Sequence, residues 1–348
     1  MKGQDAPESL QALRVAVFDT KPYLEQILAE RNRQGLALTF FEHRLTRDTA
    51  MSAEGFQVLC AFVSDVLDAA VVERVSALGV ELVALRCAGY NNVDLAACEK
   101  HGLSVARVPA YSPHSVAEHS IALMLALNRR IARAHNRVRE GNFSLDGLLG
   151  FELHGKTAGV VGTGRIGRCT VDILLGFGCR ILAYDKVQHE DLAGRAEVEY
   201  VDLDRLFRES DVISLYVPLL PETYHLINAD TIAKMKPGVM VINTSRGGLV
   251  DTTALIEGLK SGRIGSAGLD VYEEESEYFF EDFSDAIITD DLLARLLTFN
   301  NVLVTSHQAF FTREALANIA DTTFENIREF QEGKRGPELT NGVCAKCE

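Results

Sequence analysis

One stretch, KTAGVVGTGRIGRCTVDILLGFGCRILAYD at residues 156–185, limits what this chain can fold into more than any other. Ala158-Gly159-Val160-Val161 is a short apolar run carrying β-branched residues, the composition of a strand buried on both faces. Gly162, Gly164 and Gly167 follow in a G-x-G-x-x-G pattern. Gly162 permits a tight turn, Gly164 leaves bare backbone for a pyrophosphate to lie against, and Gly167 lets the next helix sit close to the strand. The start of that helix presents unpaired N–H groups and a partial positive charge. A second apolar run, Arg180 to Tyr184, ends in Asp185, 185 − 167 = 18 residues after the last glycine; the dinucleotide fingerprint places an acid at ~20. A carboxylate there accepts hydrogen bonds from both adenosine ribose hydroxyls and repels a 2′-phosphate, so the pattern predicts NAD in preference to NADP. Lys186, next in sequence, weakens that preference slightly. A glycine triplet on its own is usually only a turn; here the strand, helix, second strand and terminal acid agree.

The chain has 348 residues, enough for two domains. Its 35 basic and 49 acidic residues give a net charge of −14, which argues against nucleic acid or an anionic membrane as partner. The first residues, MKGQDAPESLQALR, lack an apolar leader core, and no run approaches the ~20 apolar residues of a membrane span. Seven cysteines at scattered positions read as buried free thiols of a reducing, cytoplasmic setting. Cys344 and Cys347 form a C-x-x-C without the two further ligands zinc would need, so no metal site is expected and the tail reads as unstructured.

Along the chain, strands are expected at 14–19, 36–41, 58–63 and 82–86, with helical segments between, a βα alternation that makes a parallel sheet. Past the last of these strands lie Ala88 and Gly89, whose N–H groups could face a carboxylate; an ordinary turn is the equal alternative. Pro109 to Pro113 breaks the pattern. Ser112 suits a helix N-cap and Pro113 the first helical position. One long helix is expected from about His114 to Arg139, its apolar stripe giving way to RRIARAHNRVRE; such a helix crosses between domains or subunits and predicts a homo-oligomer. His119 and His135 on it read as structural or exposed. After the glycine turn, strands are expected at 211–216, 239–243, 267–270 and 302–305, then a final helix at 313–332 that returns to the first domain. The acidic stretch 273–291 reads as a loop packed down by Tyr278, Phe279, Phe280 and Phe283.

Four groups fall just past strand ends in the second half: Arg246, Asp270, Glu275 and His307. In open α/β sheets that edge is where ligands bind. Hydride transfer to a carbonyl needs a proton donor for the forming alkoxide, and histidine, which titrates near neutrality, serves in both directions. It needs a carboxylate to orient the imidazole and favour its protonated form. It needs a guanidinium to hold a substrate carboxylate bidentately. His307, Glu275 and Arg246 fit these requirements.

TSRG at 244–247, GLDVYEEE at 268–275 and SHQAF at 306–310 resemble the D-isomer-specific 2-hydroxyacid dehydrogenase family. RCAGYNNVDLAA, VPAYSP, AEHSIALMLALNRRI, NFSLDGLLGF and SHQAFFTREAL are most similar to the bacterial fermentative D-lactate dehydrogenases within it, over about residues 14 to 335. The resemblance implies two Rossmann-like or flavodoxin-like, doubly wound parallel-sheet domains with the active site in the interdomain cleft. It implies a discontinuous substrate-binding domain, 1–111 plus 309–348, around an NAD-binding domain at 112–308. It gives Arg246 the substrate carboxylate and carbonyl, His307 the proton, and Glu275 the pairing with His307. Ala88, Gly89 and Tyr111 would hold the substrate, with Phe310 near its methyl group. Gly162, Gly164, Arg165, Ile166 and Gly167 would meet the pyrophosphate, and Asp185 the ribose. Val217, Pro218, Thr223, Thr244, Ser245 and Asp270 would line the rest of the NAD site, Asp270 near the nicotinamide amide. Glu275 stands where the formate dehydrogenases of this superfamily carry Gln.

The activity so implied is reversible NADH-dependent reduction of pyruvate to D-lactate. Hydroxypyruvate, glyoxylate or 2-oxobutyrate as substrate is the nearest alternative, with Tyr111 and Phe310 favouring a small side chain. An NAD-sensing binding protein is the alternative of another class, because a fold by itself does not give a function.

Overall fold

A computed structural model describes residues 13–345. Residues 1–12, where no leader core was expected, and Cys347 of the C-x-x-C lie outside the described residues. The chain divides into two compact units: one runs to Ser112 and resumes at Thr312, and the other is Pro113–Phe311. Both are α/β, each built on a wholly parallel sheet.

The first unit has five strands among the described residues: β1 (Arg14–Val17), β2 (Ala37–Phe40), β3 (Val58–Ala61), β4 (Leu82–Leu85) and β5 (Ser104–Ala106), in the order β2-β1-β3-β4-β5. This is the flavodoxin-like order. Every residue of β3 and β4 is buried, so the side-chain alternation of a strand feeds two cores at once. Ala16, Leu59, Val83 and Leu85 face the helix Ala69–Ala77, while Val15, Val17, Val58, Cys60 and Ala84 meet Leu24 and Leu28. The second of these cores is completed by Phe324, Ile327 and Phe330 of the helix Arg313–Gln331. That helix starts at Thr312, whose hydroxyl accepts from Ala315 N–H, and is tied to the helix Pro22–Arg31 by an Arg31–Asp321 ion pair at 2.9 Å.

The second unit has seven strands among the described residues: β6 (Thr157–Val161), β7 (Arg180–Tyr184), β8 (Val198–Tyr200), β9 (Val212–Leu215), β10 (Val239–Asn243), β11 (Ile264–Leu269) and β12 (Val302–Val304). Their order is β12-β11-β10-β9-β6-β7-β8, so the chain leaves β6 toward one edge and returns through β9 toward the other. The carboxyl ends of β6 and β9 are thus the switch point of a Rossmann sheet. One face packs Val160, Ile181, Val212 and Ile242 under Leu123, Met124 and Leu127 of the helix Pro113–Asn128; the other packs Val161, Leu182, Ile213 and Val241 under Leu255 and Leu259 of the helix Thr252–Lys260.

Several expectations need correcting. The long helix is two helices, Pro113–Asn128 and Ile131–Arg139, broken where Arg130 takes φ +53. The break falls where the apolar stripe ends, and the second helix buries no residue. Asn128 closes the first one by exchanging two hydrogen bonds with the Phe151 backbone, at 2.6 and 2.8 Å. Strands β5 and β8, of three residues each, went unread. The C-terminal stretch up to residue 345 is not unstructured: Val343 N–H donates to Val105 C=O and Gly342 bridges Ala106 antiparallel, extending the β5 edge. Cys60, Cys87, Cys98 and Cys179 are buried free thiols, but Cys169 is only half-buried and Cys344 is disulfide-bonded. The stretch 273–291 is mainly loop, with Phe279 buried and Tyr278 and Phe280 against the core.

Candidate active site

The glycine turn of the second unit has a distinct steric reason at each position. Gly162 has φ +95, and a Cβ there would stand 2.8 Å from the Tyr216 carbonyl carbon. A Cβ on Gly167 would sit 2.0 Å from Gly162 O, so only glycine lets the helix Arg165–Gly176 start so near β6. A Cβ on Gly164 would meet nothing within 4 Å; Gly164 borders open space and caps that helix, with Arg165 exposed and Ile166 half-buried behind it. Asp185 closes the turn: one carboxylate oxygen accepts from Thr163 N–H at 2.6 Å and Thr163 hydroxyl at 3.1 Å, and the other from Val187 N–H at 3.2 Å. Lys186 turns to Glu222 at 2.6 Å on the surface, which takes its charge into an ion pair. This cradle of bare backbone, helix N-terminus and half-buried acid fits a dinucleotide whose ribose is unphosphorylated.

Beyond β9, Val217 is half-buried and Pro218 exposed. Thr223 is used locally, its hydroxyl donating to Pro218 C=O at 2.7 Å and accepting from Leu220 N–H. Past β10, Thr244 is buried against Ser120 with 2.8 Å between hydroxyls, and Ser245 hydroxyl donates to Val217 C=O at 2.7 Å. Thr244 thus ties its strand end to the helix Pro113–Asn128, and Ser245 ties it to the loop after β9.

Strands β12, β11 and β10 are neighbours, so the residues just past their ends are brought side by side from positions far apart in sequence. Arg246 follows β10; it is half-buried, its guanidinium donates to Ser245 C=O at 2.7 Å, and its own C=O accepts from the Asn243 side chain. Asp270 and Glu275 follow β11, and His307 follows β12. His307 Nδ1 lies 2.8 Å from Glu275 Oε1, while Glu275 Oε2 accepts from Tyr272 N–H at 3.0 Å. A histidine held by a carboxylate at one ring nitrogen has the other available for a proton transfer. His307 itself takes φ +52, a left-handed conformation that is uncommon outside glycine and costs about 1–3 kcal/mol.

Asp270 keeps that turn in place. Its carboxylate is fully buried and accepts from Thr305 hydroxyl at 2.5 Å, Gln308 N–H at 2.9 Å and Ala309 N–H at 2.9 Å, with His307 N–H on its backbone C=O at 2.7 Å. Burial pushes this carboxyl up, but hydrogen bonds from His119, Thr305, Ala309 and Gln308 outweigh it and leave it below the usual carboxylate range. His119, which read as structural or exposed, reaches this cluster: its Nε2 lies 3.1 Å from Thr305 Oγ1 and 3.3 Å from Asp270 Oδ1. No local pattern joins residues 119 and 270; only the packing of the helix Pro113–Asn128 does. His135 is exposed, as expected.

The remaining expected residues are divided between the units. Ala88, Gly89 and Tyr111 belong to the first, Phe310 to the second. Ala88 C=O accepts from Arg107 at 2.9 Å and Gly89 C=O from the Cys87 thiol, while neither N–H has a partner among the described residues. Tyr111 C=O accepts from Asn318 at 2.6 Å, and the Phe310 ring stands edge-on to Phe311.

A dinucleotide turn and a histidine–carboxylate pair past strand ends of the same sheet are the features of a nicotinamide-dependent dehydrogenase, and the comparisons agree. Residues 121–309 match the family model "D-isomer specific 2-hydroxyacid dehydrogenase, NAD binding domain". The chain belongs to that family and is an NAD-dependent oxidoreductase. Among particular relatives, it is 51% identical over 326 residues to the D-lactate dehydrogenase of Escherichia coli, covering 93% of this chain and 99% of that one. A structure described as the pyruvate reductase of Chlamydomonas reinhardtii superposes with a TM-score of 0.90 at 45% identity, over 95% of this chain and 98% of that one. The D-lactate dehydrogenase of Aquifex aeolicus, solved with NAD and lactic acid, superposes with a TM-score of 0.79 at 35% identity, over 92% and 96% of the two chains.

Proposed function

We propose that this protein is a D-lactate dehydrogenase, reducing pyruvate to D-lactate in a reversible reaction. The observation that carries the reading is the His307–Glu275 pair at 2.8 Å, past a strand end next but one to Arg246, in the unit that holds the dinucleotide turn. Bound NADH supplies the hydride to the 2-carbon of the oxo acid. Arg246 holds the substrate carboxylate and polarises the adjacent carbonyl. His307 delivers a proton to the carbonyl oxygen and takes it back in the reverse direction, while Glu275 fixes the imidazole. Asp270 holds the His307 turn and borders the nicotinamide side of the NAD site. The Ala88 and Gly89 N–H groups, Tyr111 and Phe310 serve the substrate; Gly162 to Gly167, Asp185, Val217, Pro218, Thr223, Thr244 and Ser245 serve NAD. Residues 1–111 with 309–348 serve the substrate and 112–308 the cofactor.

The relatives named for lactate or pyruvate support this substrate over hydroxypyruvate, glyoxylate or 2-oxobutyrate. The test is NADH consumption with a panel of 2-oxo acids, followed by chiral analysis of the product. D-Lactate with the highest kcat/KM on pyruvate is expected; L-lactate, or no turnover on any 2-oxo acid, overturns the reading.

We also infer a homo-oligomer acting in the cytoplasm, a dimer or tetramer. Phe143, Leu145 and Leu149, in the arm after the helix Ile131–Arg139, are 73%, 81% and 91% exposed, apolar side chains that a second subunit would cover. No helix among the described residues is long and apolar enough to cross a membrane.

A further inference from the structure

The second unit contains another histidine–carboxylate pair, away from the reacting one. His225 Nε2 meets Glu273 Oε1 at 2.6 Å. Glu273 Oε2 accepts from Thr252 N–H at 2.8 Å and Thr252 hydroxyl at 2.5 Å, the first turn of the helix Thr252–Lys260. His225 N–H donates to Gly248 C=O at 2.8 Å, and two residues on, Ile227 N–H donates to Leu249 C=O at 3.0 Å. His225 takes φ +50, and its ring stacks on Tyr224 with centroids 3.9 Å apart. The Arg246 turn touches the same segment directly: a Cβ on Gly247 would lie 2.0 Å from Tyr272 O and 2.5 Å from Glu273 N. These contacts form a closed ring, Gly248–His225–Glu273–Gly247. Glu275, which holds His307, lies two residues past Glu273.

We propose that the His225–Glu273 pair is a positioning clamp, fixing the Arg246 turn in register with the segment that carries Glu275. The guanidinium that holds the substrate and the carboxylate that orients the acid come from different strand-end loops. Nothing in either loop's own sequence sets their separation. The ring does, and it explains why a residue outside the reacting set adopts a strained backbone. Misplacing a binding group by about 1 Å costs up to 10²-fold in rate, so a loosened clamp acts most on the 2-oxo acid, while the glycine turn on β6 lies two strands from β10 and stays in place. The clamp rests on the reading of Arg246 as the substrate-carboxylate group.

The test compares Glu273→Ala, Glu273→Gln, His225→Ala and the double alanine variant with Arg246→Lys. The measurements are KM for pyruvate, kcat, the NADH dissociation constant by fluorescence, and Tm. Glu273→Ala and His225→Ala should each raise KM for pyruvate about tenfold or more, with a smaller change in the NADH constant, since only Thr223, Thr244 and Ser245 of the NAD site border the clamp. The double variant should be no worse than Glu273→Ala, since the His225 contact is already lost there. Glu273→Gln, which still accepts from Thr252 and bonds His225, should recover most of the loss. His225 is partly exposed, so its truncation leaves no core cavity and keeps the test open if a Glu273 variant fails to fold. Unchanged KM for pyruvate in His225→Ala, additive losses, or parallel loss of NADH binding overturns the clamp. If Arg246→Lys leaves KM for pyruvate unchanged, it is the underlying reading of Arg246 that fails.

Discussion

His307, the proposed proton donor, is held in a left-handed backbone conformation. Asp270 holds the backbone on one side and Glu275 the ring on the other. His307→Gln should lower kcat by roughly 10²–10⁴-fold, the usual worth of a general acid, with NADH binding preserved in a fluorescence titration. Gly167→Ala should be far more damaging to the cofactor than its size suggests, because the new Cβ would be driven into Gly162 O at 2.0 Å. A lowered NADH affinity together with a lower Tm checks this. Asp65, in the first unit, accepts from Leu45 and Phe62 N–H at 2.7 and 2.6 Å, yet burial pushes its carboxyl up to about 6 against the pull of Arg86. A raised folded-state value means the folded protein holds a proton that the unfolded chain has released. The stabilisation is therefore complete below the unfolded value near pH 4 and is lost as pH rises through about 6. Denaturation of Asp65→Asn beside the parent should show the variant gaining about 3 kcal/mol relative to the parent between pH 4 and pH 7. The sequence marked Gly167 and His307, through the motifs around them. It gave no sign of Asp65, whose titration depends wholly on what surrounds it.

At the scale of elements, the helix Arg313–Gln331 is the clearest case of a distant segment completing a core. It follows β12 in sequence yet covers the β1-β3-β4 sheet through Phe324, Ile327 and Phe330. Phe324→Ala should cost about 3–5 kcal/mol in chemical denaturation, the price of a buried aromatic left as a cavity. The expected return of this helix to the first domain came from family resemblance, since its amphipathic pattern shows that a face is buried but not against which sheet. All the parallel strands but β5 and β8 were legible from their apolar runs. The division at Arg130 was not, because a left-handed residue within two helical patterns has no signature of its own.

For the whole molecule, the acidic charge and the exposed arm at 129–151 bear on assembly. Leu149→Glu should shift sedimentation toward the monomer while leaving the far-ultraviolet spectrum of the fold intact, because Leu149 contributes almost nothing to its own unit's core. The cluster of His119, Thr305 and Asp270 and the ring of His225, Glu273 and Gly248 share one property. Each joins segments separated by tens of residues or more, so each exists only once neighbouring strand ends are in place.

By itself the sequence determined two parallel α/β units, a dinucleotide turn with an acid that selects against a 2′-phosphate, and the types of group that hydride transfer requires. Those follow from local rules: periodicity, glycine sterics, and the strand-end location of the polar residues. Only the tertiary structure decided that Asp270 anchors the His307 turn, that His119 reaches Thr305 and Asp270, and that Glu273 grips His225. Hydrogen-bond partners across a sheet edge are chosen by strand order and register, and no single segment encodes its neighbour.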